Sequence, residues 1–314
     1  MAQPANTMST YDQVGIREDL SDKIWDISPT ATPFQSMIGK NKASNTLHEW
    51  QTDELAAANG ANAVIEGDDS TTDDATPTVR LNNQTQILDK VPRVTETADA
   101  VNTAGRSKEM AYQVAKRAKE IKRDLESALL LNQAKVAGND TTARRMAGVP
   151  SWIATNTSAG AGGADPAGTG ADARTDGTQR AFTEALLKAV LQSCADEGGE
   201  PDCVMLGTFN KQVASGFSAN VTREQSAEGG KINAAVDFYV SDFGTLKFVY
   251  NRFQRARDAL VIQKDMWKIS QLRGLRNTEL AKTGSSIRRK LEMEVTLEAC
   301  NEKASGIVAD LTTS

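Results

Sequence analysis

The feature that most constrains this chain is an uninterrupted amphipathic run from Thr103 to Asn139. No proline breaks the run, Asn102 or Thr103 can cap its start, and Gly138-Asn139 is a typical C-terminal stop. Over this length a helix would extend roughly 50 Å at 1.5 Å per residue. Its apolar residues have the spacing of one helix face: Met110, Val114, Ala118, Ile121, Leu125 and Ala128.

So long a helix suits either a rod across a plate-shaped subunit or a coiled coil. Only about three heptads fit, and the apolar stripe is narrow and rich in alanine, so the rod is favoured. The charged residues fall mostly on the opposite, solvent-facing or subunit-contacting side: Lys108, Lys116, Lys119, Lys122, Arg123 and Glu126.

The composition of the 314 residues limits the core and the function classes. Only 39% are hydrophobic and 5% aromatic, which predicts a thin core or several small ones. A formal net charge of -5 argues against a dedicated nucleic-acid binder. The three cysteines fit no zinc spacing and are expected to be reduced thiols, as in a cytoplasmic protein. The N-terminus lacks the features of a signal peptide, and no apolar run is long enough to span a membrane.

The first 95 residues look unable to form a core alone. Residues 1–45 are punctuated by prolines and read as an arm, with a short helix over Asp19–Ile27. Residues 46–95 read as a long hairpin whose limbs alternate along 47–51 and 79–87. Both faces of this ribbon are largely polar, and an isolated two-stranded ribbon is marginally stable in water. The arm and the ribbon are therefore expected to need a partner surface.

The rest of the chain predicts an α+β lobe followed by strands. Residues 158–177 are rich in Gly, Ala and Asp and predict a flexible surface loop. A helix is expected from Thr183 to the Gly198-Gly199 stop, another over 209–217, and strands over 203–206, 236–240 and 246–250. Further strands are expected over 259–262, 267–272, 287–299 and 307–311. The last two are expected to pair as a C-terminal hairpin that packs on the long helix.

No set of residues argues for catalysis. The single histidine, His48, has no metal-binding partner nearby and is expected to be structural. The acidic cluster at the hairpin tip does not match a calcium loop, so a solvated tip is favoured over divalent binding; it comprises Asp68, Asp69, Asp73 and Asp74. Asp242-Phe243-Gly244 matches a kinase triplet in letters only and reads as a hairpin turn. No phosphate-binding loop, nucleophile elbow or dinucleotide fingerprint is present.

Two features are candidates for subunit contacts. Arg252, Arg255 and Arg257 form a basic cluster that suits phosphate or, equally, acidic groups on a neighbouring subunit. Trp50 is the largest apolar group of the ribbon, and its burial against a neighbour would contribute about 2 kcal/mol. The alternative is that Trp50 packs within its own subunit near the base of the loop.

The order of arm, long hairpin, rod helix, α+β lobe and closing strands resembles the major capsid proteins of tailed bacteriophages with the Hong Kong 97-type fold. The resemblance extends to residue strings along nearly the whole chain. They include REDLSDKIWDISPTATPFQSMIGK (17–40), LHEWQTDELAAAN (47–59), ESALLLNQAKVAG (126–138), VSDFGTLK (240–247), NRFQRARD (251–258) and LEMEVTLEACNEKASGIVADL (291–311).

This resemblance implies a division of the chain. Residues 1–45 would be the N-terminal arm and 46–95 the extended loop. Residues 96–179 would form the peripheral domain with its spine helix, 180–258 the axial domain, and 259–314 the closing strands of the peripheral domain. The resemblance begins by about Tyr11, so the chain is expected to lack a removable scaffolding segment or to be already trimmed, and to use a separate scaffolding protein.

The implied function is shell building. Pentamers and hexamers of this subunit would form an icosahedral head around double-stranded DNA, assembled in the host cytoplasm with a portal and a scaffolding protein, and with a decoration protein in some heads. No cofactor, metal or membrane is implied. The alternative with the same fold is an encapsulin-type compartment, which encloses protein cargo instead of DNA.

Some relatives with this fold cross-link their subunits by an isopeptide bond between a lysine of the extended loop and an asparagine. This sequence predicts no such cross-link. No lysine lies between Lys42 and Lys90, so the loop offers no side-chain amine. Denaturing gel electrophoresis of mature particles should give a single monomer band. A ladder of covalent multimers would contradict the prediction.

Overall fold

The computed structural model describes residues 28–67, 75–101, 103–217 and 238–314. Its helices are α1 (Pro33–Met37), α2 (Glu96–Ala100), α3 (Glu109–Leu130), α4 (Glu184–Asp196) and α5 (Thr208–Ala214). Its strands are β1 (Gly39–Lys42), β2 (Leu47–Thr52), β3 (Val79–Gln84), β4 (Gln86–Lys90), β5 (Arg93–Thr95), β6 (Asn156–Ser158), β7 (Cys203–Leu206), β8 (Phe238–Ser241), β9 (Gly244–Tyr250), β10 (Ala259–Ile262), β11 (Trp267–Glu279), β12 (Ser286–Ala299) and β13 (Gly306–Val308). The helix predicted over 19–27 and the acidic cluster within 68–74 both lie outside the described residues.

The described strands form three sheets. One has the order β1-β11-β12-β4, with β5 also paired to β12. The second has the order β6-β13-β10-β7-β9-β8, and the third is the β2-β3 hairpin. Buried apolar residues fall into two clusters, one beneath α3 and one between α4 and the six-stranded sheet. The expectation of a divided core is therefore confirmed. No helix of the described part is long and apolar enough to cross a membrane.

The spine helix α3 is shorter than predicted. It spans 22 residues and ends before Leu131, whose backbone is extended. Asn132 then exchanges two hydrogen bonds with the backbone of Arg174, so the chain is used for tertiary contacts instead of continuing the helix. Val136 pairs with Arg145 across a turn in which Gly138 has a φ of 73°. The predicted stop at Gly138 therefore belongs to this turn, a position that favours glycine.

The predicted apolar stripe of α3 packs towards β4 and β12. Met110, Ile121 and Leu125 are buried, whereas Val114, Ala118 and Ala128 are partly buried. The placement of Glu126 on the solvent side was wrong. Its side chain is fully buried and accepts hydrogen bonds from the N–H groups of Phe34 and Gln35 at 2.8 and 3.0 Å. The Asn251 amide donates a third bond at 2.7 Å. Burial raises the pKa of Glu126, and these donors oppose that rise by favouring the carboxylate. Glu126 thus caps the N-terminus of α1 and fixes the end of the arm to the spine helix.

The predicted hairpin exists, but it is shorter than 46–95. Strands β2 and β3 pair antiparallel from Leu47↔Gln84 to Thr52↔Val79. At Thr85 the returning limb leaves the hairpin, and β4 and β5 pair with β12 instead. Thr85 is fully buried, and its hydroxyl donates to Glu294 at 2.8 Å. The alternation of the limb is continuous through this point, so periodicity alone does not reveal the change of partner.

The α+β lobe forms largely as predicted, with α4, α5, β7 and the β8–β9 hairpin in the expected places. The predicted C-terminal hairpin was wrong. Strand β12 lies in the five-stranded sheet, whereas β13 pairs with β10 and β6 in the six-stranded sheet. A short turn at Glu302–Ala304 carries the chain between the sheets, and Ser305 anchors it by accepting a 2.9 Å hydrogen bond from the indole of Trp267.

The glycine-rich segment 158–177 lies largely at the surface, as its composition predicts, and buried hydrogen bonds hold it at several points. Asp310 is buried and accepts hydrogen bonds from the N–H groups of Gly160 and Gly177 at 3.0 and 2.8 Å. A Cβ at Gly160 would lie 2.1 Å from the carbonyl oxygen of Thr178, so the glycine permits a close backbone approach. Arg174 is also buried, pairs with Asp165 and donates to the Ile153 carbonyl at 3.0 Å.

Asp310 is therefore expected to stabilise the subunit through its carboxylate. Burial alone would raise its pKa, but the two glycine N–H groups and Arg257 more than offset this and lower it. Asp310→Asn should reduce the free energy of unfolding by about 3 kcal/mol, because Arg257 loses a counter-charge and one donor loses its acceptor. Asparagine tolerates the observed φ of 61°, so the backbone is not the cause.

Urea denaturation of unassembled subunits measures this effect. The exposed Asp140→Asn is the control and should change stability by less than about 0.5 kcal/mol. The pKa of Asp310 is lower in the folded subunit than in the unfolded chain, where it is near 4. The carboxylate therefore contributes its full stabilisation above about pH 4, and this stabilisation is lost as the pH falls through the folded-state pKa. Wild type should therefore lose more stability on acidification than Asp310→Asn. Equal stability of the two proteins at pH 7 would contradict the prediction.

Candidate functional site: subunit-contact surfaces

The base of the extended loop is fixed within its own subunit. Asn83 is fully buried in β3, donates to the Leu297 carbonyl at 2.7 Å and accepts from the Ala147 N–H at 2.9 Å. Lys135 donates to the Asn82 carbonyl at 2.8 Å and to the Thr169 carbonyl at 2.9 Å. Burial lowers the pKa of Lys135. The ribbon was expected to need a partner surface, and its base has one within its own subunit.

Trp50 belongs to this fixed base. It is partly buried, and its indole N–H donates to the Ala299 carbonyl at 2.7 Å. Its ring centroid lies 5.4 Å from that of the fully buried Trp152. The structure thus places Trp50 against its own subunit, which is the alternative left open by the sequence. Its role as a contact to a neighbour stays a prediction.

His48 has a structural setting beside Trp50. Its Nε2 lies 3.1 Å from the Glu298 carboxylate, which also accepts hydrogen bonds from Asn41 and Ser270. Burial alone would raise the pKa of Glu298, but these three partners more than offset it and lower it. This network joins β1, β2, β11 and β12. The described ranges contain no cluster of three or more His, Cys, Asp or Glu that could hold a metal ion.

The distal part of the extended loop is different from its base. Residues 53–67 and 75–78 form no strand, and three apolar side chains there are almost fully exposed. Leu55 is 99% exposed, Val64 84% and Ile65 79%. Exposed apolar groups that cluster on one segment mark an interaction surface more often than single ones do. We refer to residues 53–67 as the loop tip.

The three candidate arginines separate into two groups. Arg255 and Arg257 are partly buried and both pair with Asp176, and Arg257 also pairs with Asp310 at 2.7 Å. Their acidic partners therefore lie in the same subunit. Arg252 is exposed, and its guanidinium lies 5.9 Å from the ring centroid of Tyr250. Of the three, Arg252 is the one with its charge open to a neighbour or to phosphate.

Asp258 lies beneath this arginine cluster. Burial is the main cause that raises its pKa to about 6, and Arg255 and Arg174 only partly oppose it. Asp258 pairs with Arg255 at 3.1 Å. The sequence analysis missed Asp310 and Asn83 and misplaced Glu126, because each is a polar residue whose partners lie far away in the sequence. No local spacing signals such a contact.

A second apolar surface lies at the edge of the six-stranded sheet. Strand β8 pairs only with β9, so its other edge is open within the described residues. Phe238 is 61% exposed, Val240 73% and Phe243, in the turn, 51%. The predicted turn at Asp242-Phe243-Gly244 connects β8 to β9 as expected. An open apolar edge strand invites pairing with another chain.

Comparisons with known proteins identify the family. A family model described as "SU10 major capsid protein" matches residues 3–312. The major capsid protein of Escherichia phage Phieco32 is 33% identical, with 98% of this chain and 97% of that protein covered. This match favours the phage head over an encapsulin shell.

Two solved structures show the same fold at low sequence identity. The capsid asymmetric unit of cyanophage A-1(L) superposes with a TM-score of 0.65 at 12% identity, covering 98% of this chain and 99% of that one. The structure from Gordonia phage Cozz gives a TM-score of 0.62 at 10% identity, with 99% and 98% covered. The predicted α+β capsid fold of the Hong Kong 97 type is confirmed. The chain therefore belongs to the SU10 major capsid protein family and is a major capsid protein of a tailed bacteriophage.

Proposed function

We propose that this capsid protein assembles as pentamers and hexamers into a closed icosahedral head around double-stranded DNA, and that the loop tip makes a principal contact between subunits. The observation that supports this most directly is the contrast within the extended loop. Its base is fixed by buried hydrogen bonds, whereas Leu55, Val64 and Ile65 have almost no cover. A neighbouring subunit that covers these side chains would stabilise the contact at about 25 cal/mol per Å² of apolar surface.

The role is purely structural in this proposal. Particles would assemble in the host cytoplasm with a scaffolding protein and a portal, and a decoration protein would add to the outer surface of some heads. These partners are supported by the family membership and by the resemblance of the sequence. The acidic net charge of -5 suits a shell that must not hold its DNA tightly.

The same proposal assigns the parts. The six-stranded sheet with α4 and α5 would form the axial domain around the five-fold and six-fold axes, with the open β8 edge facing a neighbour. The sheet beneath α3 would form the peripheral domain. Strands β10 and β13 pair in the six-stranded sheet, so the closing segment 259–314 would contribute to both domains instead of the peripheral one alone.

The first test is assembly of loop-tip variants. Leu55→Asp with Ile65→Asp should prevent closed shells, as judged by size-exclusion chromatography and electron microscopy with the scaffolding protein present. The melting temperature of unassembled subunits should stay within about 1 °C, because both side chains are already exposed. Asn59→Asp is the matched control, since it adds charge to the same segment and keeps the oxygen that accepts from the Ala61 N–H. Shells that form normally in the double variant would refute the role of the loop tip. A wild-type protein that stays monomeric under all assembly conditions would refute shell building itself.

Trp50 gives a second test, because it positions the loop from its base. Trp50→Ala should reduce subunit stability by about 2 kcal/mol, since it removes the contact with Trp152 and the bond to Ala299. Trp50→Phe keeps an aromatic ring but loses the donor, so it should cost about 1 kcal/mol. Both are measured by denaturation of unassembled subunits. If Trp50→Ala leaves stability unchanged and only shell formation fails, Trp50 acts at a neighbour instead.

A further inference from the structure

A groove on the surface of α3 is lined by positively charged side chains. No acidic side chain among the described residues pairs with them. The groove runs between the N-terminal half of α3 and the end of the arm, and we name it the α3 groove. Its principal lining residues are Tyr112, Lys116, Lys119 and Arg123 from α3, and Ser28 and Thr30 from the arm.

The basic side chains of the α3 groove lack acidic partners in the described part of the chain. Lys116 and Lys119 are exposed and make no ion pair there. The one acid in the lining, Glu120, is held by Arg117, whose Nη1 lies 2.6 and 2.8 Å from its two oxygens. Arg123 stacks over Phe253, with its guanidinium 5.5 Å from the ring centroid, and its buried Nε has no hydrogen-bond partner among the described residues.

Three like charges on one helix face are unfavourable unless something opposes them. Lys116, Lys119 and Arg123 stand at i, i+3 and i+7, so each is a direct neighbour of the next on the helix surface. Like-charge pairs at these spacings destabilise a helix. The α3 groove therefore favours an anionic occupant.

The segment that precedes Ser28 in the sequence has the complementary charge. Residues 12–27 run directly into Ser28, which lines the groove. They contain five acidic and two basic side chains, a formal charge of -3. Asp19, Asp22 and Asp26 repeat the i, i+3, i+7 spacing of the groove cations, and the sequence predicts a helix over 19–27.

We propose that the α3 groove is the binding site for the acidic segment 12–27 of the same chain. Because residue 27 is bonded to a residue of the groove, no linker has to be spanned and the effective concentration of the segment is high, on the order of mM. A free anion or the segment of another subunit must compete with this tethered occupant. Binding would set the direction in which the arm leaves the subunit.

Limited proteolysis of the unassembled full chain tests the proposal. Chymotrypsin cleavage after Trp25, followed by mass spectrometry, reports whether the segment is covered. Lys116→Glu with Lys119→Glu should accelerate cleavage by about five- to tenfold, since two attractive charges become repulsive. Lys42→Glu with Lys247→Glu is the matched control, because both lysines are exposed and lie away from the groove. It should leave the rate unchanged.

A charge exchange and a salt series complete the design. Adding Asp19→Lys and Asp22→Lys to the groove variant should restore slow cleavage, and 1 M NaCl should accelerate cleavage of wild type without any substitution. The milder Lys116→Gln with Lys119→Gln, expected to give an intermediate rate, serves if the charge reversal impairs folding.

Three results would overturn the proposal. The first is an unchanged cleavage rate in a groove variant that retains its fold. The second is wild-type protection that rises with protein concentration, which would assign the groove to the arm of a second copy. The third is unchanged cleavage combined with loss of binding to a double-stranded DNA probe, which would make the groove a nucleic-acid surface. The readout uses unassembled subunits, so it is independent of whether closed shells form.

Discussion

The C-terminal half of strand β12 is buried on both faces, and most of the subunit is arranged around it. From Met293 to Ala299 every residue is buried. One face carries Leu291, Met293, Val295 and Leu297, which share a hydrophobic cluster with Ile121, Leu125 and Leu129 of α3. The other face carries carboxylates that must find partners, because a buried charge without a partner is costly.

The carboxylates of β12 connect this strand to the arm and to the extended loop. Glu294 accepts hydrogen bonds from Thr85, Arg144 and Arg273. Burial alone would raise its pKa, but these donors more than offset it and lower it. Glu298 is hydrogen-bonded in the same way to Asn41, His48 and Ser270. Through these bonds the arm and the extended loop take their positions from a strand near the C-terminus.

The extended loop has a base that is hydrogen-bonded to its own subunit and a tip whose apolar side chains are exposed. Buried hydrogen bonds join Asn83 and Thr85 at the base of the hairpin to β12. The loop tip, in contrast, exposes its apolar side chains and makes few contacts within the subunit. Because its base fixes its orientation, such a loop presents its contact surface to a neighbour already oriented. Binding then costs less conformational entropy than it would for a ribbon that is free to move. The end of the arm has a similar anchor at Glu126, where α1 meets the spine helix.

The sequence by itself determined the elements and the family. Apolar periodicity located the spine helix, the loop hairpin and most strands of the two larger sheets, since it records which side of each element is buried. It did not locate the short strands β1 and β6. The residue strings along the chain were sufficient to indicate a phage capsid protein before any contact was known. Only the tertiary structure decided which strands pair. The split of the returning limb at Thr85 and the separation of β12 from β13 depend on partners distant in sequence. The same holds for Glu126, Asn83 and Asp310, which look like surface residues until the groups that satisfy them are brought together by folding. Alternation and helical spacing record burial, but they carry no information about which distant donor fills a buried acceptor.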